Sequence, residues 1–119
     1  MFTDPADVIA EYIRTYGEGD NLGFRATVTR NYRYVAGGAQ ITVDDQARNV
    51  GNLEGLNGTL VPIGEVTTTG TGPYEVEFEH RITADNYAPD GRVGTSILTV
   101  VDDGGTLEVS RHVYRGESL

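Results

Sequence analysis

Two histidines, His80 and His112, stand in rows of apolar residues, where an imidazole is either a satisfied core group or a working one. In the stretch PYEVEFEHRIT, Tyr74, Val76, Phe78, His80 and Ile82 fall on one side of an extended chain. Glu75, Glu77, Glu79 and Arg81 fall on the other, the period-two signature of a half-buried strand with one wet face. A neutral imidazole near pH 7 can act as a base, and a phenol such as Tyr12 can donate to a developing oxyanion. Tyr12 sits on an N-terminal helix, and Tyr114 lies two residues beyond His112. Polar groups converging within apolar walls are the pattern of a ligand pocket. Structural histidines remain the plainer alternative.

Other chemistries find less support. The chain of 119 residues has no cysteine, which removes disulfides, thiolate nucleophiles and cysteine zinc sites. All nine basic residues are arginine, so no lysine can form a Schiff base. A strand lies between those of His80 and His112, which in a flat sheet sets them ~10 Å apart; with no third ligand in view, no metal is expected. Glu75, Glu77 and Glu79 read as a solvated face, Asp44-Asp45 as a helix cap and Asp102-Asp103 as part of a turn. Gly17-Glu18-Gly19 lacks the third glycine of a dinucleotide motif, and Ser96 and Ser110 are mid-strand rather than on a nucleophile elbow. No cofactor is implied.

The elements that must hold these residues follow from local signals. Thr3 or Asp4 caps a helix with Pro5 at its first position; Ile9, Tyr12, Ile13 and Tyr16 form its stripe, and Gly17 is the expected stop. Asp20 opens a shorter helix running to about Val28. NYRYVAGG and AQITV read as two strands about a Gly37-Gly38 turn, and Ala47, Val50, Leu53 and Leu56 mark a third helix weakened by two glycines. LVPIGEVTTTG, the histidine strand, RVGTSILTVVD and TLEVSRHVYR then make a meander, separated by TGTGP, ADNYAPDG and DGG. Helices first and a meander afterwards predict a single α+β domain: a cone-shaped, curved antiparallel sheet packed on N-terminal helices. The length suits one domain.

Ala10-Glu11-Tyr12-Ile13 followed by Gly19-Asp20 resembles the first helix of the ketosteroid isomerases, in the nuclear-transport-factor-2-like superfamily that also holds the SnoaL-type polyketide cyclases. The element order, ending in D-G-G-x-L-x-V and an aromatic residue, matches that layout over nearly the whole chain. The resemblance puts Tyr12 at the oxyanion tyrosine, but the base falls at about Ala36 and the second oxyanion donor near Ile97, where no carboxyl exists. It also implies an inner face made of Tyr74, Val76, Phe78 and His80, then Ile97, then Ser110, His112 and Tyr114. Pairing Asp102 with Gly105 in the last hairpin sets His112 opposite Thr95 and Ser110 opposite Ile97. With Tyr16 and Tyr34 these residues are the expected ligand lining, and Tyr12, His80 and His112 the candidate catalytic groups.

Three functions stay open: a binding protein for a small, mostly apolar molecule; an isomerase, cyclase or dehydratase using acid-base catalysis on a carbonyl or polyketide-like compound; and a structural or interaction domain. The net charge of −9 repels phosphate backbones, so no nucleic-acid partner is expected. No apolar run approaches a membrane span and no signal peptide is evident, which makes a cytoplasmic protein the default expectation. In the same register Leu98, Val100, Leu107, Val109 and Val113, with Ser96 and Arg111 among them, form an outer apolar patch, from which a homodimer through the outer sheet face is expected.

Overall fold

Asp4 supplies the first cap: its carboxylate accepts from the Ala6 amide at 2.9 Å, and Pro5 takes a position that needs no amide donor. In this computed structural model, which describes residues 2–63, 73–85 and 88–116, helix α1 spans Pro5–Glu18. It ends two residues later than expected, at Gly19, whose φ of 73° is the left-handed cap conformation. Gly17 is instead a packing glycine. A Cβ there would fall 2.6 Å from the Leu60 amide nitrogen, so its absence lets α1 lie against the backbone of strand β3 (Thr59–Ile63).

Helix α2 (Asn21–Arg25) is capped by Asp20, which accepts from the Gly23 amide, and it stops short of Val28. Val28 begins strand β1 (Val28–Ala36), whose β-branched and aromatic residues favour the sheet. Gly37 and Gly38, both at positive φ, turn the chain into β2 (Ala39–Thr42). Thr42 caps α3 (Val43–Gly51), and the chain beyond Asn52 continues as turns that still bury Leu53. Strands β4 (Tyr74–Ala84), β5 (Ala88–Asp103) and β6 (Thr106–Gly116) complete the meander. Part of the expected strand before Pro73, residues 69–72 of the TGTGP turn and Asn86-Tyr87 lie outside the described residues.

The six strands form one sheet in the order β2-β1-β6-β5-β4-β3. It is mixed rather than purely antiparallel, because β1 runs parallel to β6, with Tyr34 beside His112 and Ala36 beside Tyr114. The helices cover its inner face. Val8, Ile9 and Tyr12 of α1 and Phe24 of α2 pack there with Tyr32, Val76, Leu98, Val100 and Val109.

The last hairpin differs from expectation by enough to turn faces over. Gly104 and Gly105, at φ of 67° and 95°, are the two central turn residues, so Asp103 pairs with Thr106. An irregularity at Thr99/Val100 then shifts the ladder by one, and His112 stands opposite Leu98 rather than Thr95. Ile97 and Ser110 therefore do not join the inner row. Ile97 alternates with buried Ser96 and Leu98, and the Ser110 hydroxyl donates at 3.4 Å to the Thr99 carbonyl at the bulge. Leu98, Val100, Leu107 and Val109, expected outside, are core residues. Of the five apolar residues whose patch motivated a dimer, Val113 alone stays on the outer face.

Candidate functional site

Four strands and one helix bring five polar side chains into a continuous buried chain. His80 comes from β4, Ser96 from β5, His112 from β6, Tyr12 from α1 and Tyr32 from β1. His80 Nε2 is 2.6 Å from Ser96 Oγ, and Ser96 Oγ is 2.7 Å from His112 Nε2. His112 Nδ1 is 2.6 Å from the Tyr12 hydroxyl, which lies 2.7 Å from the Tyr32 hydroxyl. The strand between the histidines, expected to separate them, contributes the serine that joins them.

Proton order along the chain follows from counting donors. A neutral imidazole has one N–H and a hydroxyl one proton. If Tyr32 donates to Tyr12, Tyr12 donates to His112 Nδ1, His112 Nε2–H donates to Ser96, and Ser96 donates to His80 Nε2. Every contact is then satisfied, and the His80 proton resides on Nδ1. The opposite order would strand the Tyr32 proton as well, since Tyr32 makes no other side-chain hydrogen bond among the described residues. In either order His80 Nδ1 is buried with no partner among the described residues. An unmet buried donor costs about 1–3 kcal/mol, which makes it the atom of this chain that calls for explanation.

Burial fixes the protonation of the whole set. It lowers His80 to about 4 and, with the nearby His80 adding to it, His112 to about 3. Burial, reinforced by the neighbouring tyrosines, pushes the Tyr12 phenol well above its ordinary value. All five groups are neutral at pH 7. As bases the histidines are weak, about three or more units below the pH at which a general base works best.

A cavity of about 940 Å³ opens at the end of the sheet where β6 stops. Its walls include Tyr16, Tyr34, Ile82 and Tyr114, and Arg92 on the inner row of β5. It also reaches Glu79, Thr95 and Arg115, whose positions alternate to the other face, so it opens around the end of the sheet. A second cleft of about 430 Å³ shares Tyr16, Tyr34 and Ile82 and extends to Gln46 of α3, whose amide donates to the Tyr16 hydroxyl at 3.1 Å.

The tyrosines are the layer between cavity and buried chain. Tyr34 meets His112 edge-on at 5.0 Å, Tyr16 lies 5.7 Å from the same ring, and Tyr114 stacks on His80 at 5.7 Å. Of the residues singled out from the sequence, Tyr16, Tyr34 and Tyr114 line the cavity, and Tyr12, His80 and His112 lie beneath it. Val76 and Phe78 are filled core, Tyr74 packs against that core, and Ile97 and Ser110 fall away from the site. Sequence reasoning missed Tyr32, Ser96 and Arg92. Tyr32 was within reach, because it shares the inner row with Tyr34; Ser96 required the correct hairpin register. No group of three or more metal-ligating side chains occurs among the described residues.

No family model and no curated protein matches the chain. Solved structures do. An NTF2-like protein from Cytophaga hutchinsonii superposes with a TM-score of 0.77 at 12% identity, covering 97% of this chain and 100% of that one. A protein of unknown function with a cystatin-like fold from Nostoc punctiforme gives 0.75 at 8% identity over 98% and 96%. An NTF2-like protein with a cystatin-like fold from Novosphingobium aromaticivorans gives 0.74 at 15% over 91% and 76%. At such identities the likeness speaks for architecture. The chain has the α+β, cystatin-like fold of the nuclear-transport-factor-2-like proteins.

Proposed function

We propose that this protein binds a small, mostly apolar molecule at the open end of its cone. The observation that carries the reading is the cavity of about 940 Å³ walled by Tyr16, Tyr34, Ile82 and Tyr114. Its size falls within the range of small-molecule sites, and phenol rings present apolar faces with a few hydroxyls to orient a ligand.

A second reading, acid-base catalysis by Tyr12 and His112 on a carbonyl compound, draws on their 2.6 Å contact. Two features weigh against it: both imidazoles are weak bases held beneath the tyrosine layer, and the side-chain partners of Tyr12 and His112, besides each other, are Tyr32 and Ser96 rather than a carboxylate. Native mass spectrometry of protein purified from its own host tests the binding reading. The expected result is a retained adduct of a few hundred daltons that disappears in Ile82→Arg, a change that puts a charge into both clefts. Wild type and variant each giving only its own bare mass would reject the reading.

A further inference from the structure

His80, Gly94 and Gly116 form one cross-strand row: His80 pairs with Gly94, and Gly94 with Gly116. Two of these three positions have no side chain, and the Tyr114 ring occupies the space they leave. A Cβ at Gly94 would fall 2.6 Å from the ring, and one at Gly116 would collide with the Tyr114 hydroxyl. Both glycines and Tyr114 line the cavity, whereas His80 does not. The Tyr114 ring, which lines the cavity, stacks on the imidazole at 5.7 Å.

We infer that His80 Nδ1 is a hydrogen-bond anchor for an acceptor on the cavity's ligand, a carbonyl or ether oxygen, and that Tyr114 is the cover that swings aside to admit it. The inference rests on reading the cavity as a ligand site. Every other polar atom of the buried chain is committed to a neighbour, and the donor count places the proton on the one atom without a partner. With the ring displaced, the positions without side chains at Gly94 and Gly116 leave room beside the imidazole, from which an acceptor can reach the N–H in the plane of the ring. An apolar ligand carrying an acceptor would then satisfy a donor the folded protein leaves unmet, whereas a plain hydrocarbon would not, so the anchor sets ligand class.

Imidazole N–H exchange in protein labelled with 15N-histidine tests the cover without any ligand. The expected result is the Nδ1–H tautomer at His80, exchanging at least ~10-fold faster than His112 Nε2–H and independently of low urea, as local opening requires. Gly94→Ala, whose Cβ is incompatible with the ring's position, should accelerate His80 alone. Equal rates with equal urea dependence for both histidines would overturn the proposal. The anchor is tested with 6-propionyl-2-(dimethylamino)naphthalene, an apolar ketone whose emission shifts to the blue on burial. Binding that moves and protects the His80 Nδ1–H resonance supports it. Binding with that resonance unchanged overturns the anchor and leaves the cavity reading standing; no binding at millimolar protein overturns the cavity reading and the anchor with it.

Discussion

At the scale of single residues, the Tyr12 hydroxyl bridges Tyr32 and His112, so its loss is felt on both sides. Tyr12→Phe leaves His112 Nδ1 without its donor and the Tyr32 hydroxyl without its acceptor, in a core where water cannot replace them. The expected loss is about 1–3 kcal/mol in urea unfolding, with near-native circular dichroism. A neutral result would mean that the five groups are not a connected set. The two histidines also set a pH dependence. Their folded values, about 4 and about 3, lie below the ordinary 6.5, so between these limits the unfolded chain binds protons that the folded protein refuses. Their contribution is fully present above about pH 7 and is lost as pH falls through 6.5 toward 4, with a slope approaching ~2.7 kcal/mol per pH unit if both titrate on unfolding. Urea midpoints from pH 7.5 to 4.5 check this, and His80→Leu should remove about half of the slope.

At the scale of elements, the register of the last hairpin decides which residues are inside. Val109 is fully buried, and Val113, on the opposite face, is half-buried. Val109→Glu should abolish cooperative folding or cost several kcal/mol, because it buries an unpaired charge, whereas Val113→Glu should be tolerated. The reverse result would restore the pairing of Asp102 with Gly105. Gly17→Ala offers a second check. Alanine favours a helix by about 1 kcal/mol, yet here its Cβ meets the β3 backbone at 2.6 Å, so a net loss of stability is expected in thermal melts. Strand β4 was legible from its alternation, as were the first cap and the Gly37-Gly38 turn, because each is a local signal. The inner row of β5 was not. Val93, Ile97 and Val101 on one side and Leu98 and Val100 on the other are equally apolar, so periodicity cannot choose between them. The choice was made by a two-glycine turn and a bulge, and with it went Ser96, the residue that joins the histidines.

At the scale of the whole molecule, a curled sheet, filled at one end by Tyr12, Phe24, Tyr32, Val76 and Leu98, leaves its volume at the other. The outer face carries Glu75, Glu77 and Glu79 on β4, with Ile97 and Val101 on β5, which makes it more polar than the sequence led one to expect. No helix among the described residues is long and apolar enough to cross a membrane. The central claim is that the open end of the cone is a binding site, and amide chemical-shift mapping during titration with 6-propionyl-2-(dimethylamino)naphthalene addresses it most directly. The account predicts saturable shifts confined to Tyr16, Tyr34, Ile82, Gly94 and Tyr114, absent in Ile82→Arg. Shifts confined to the outer row around Glu77, Ile97 and Val113, or none at saturating ketone, would contradict it.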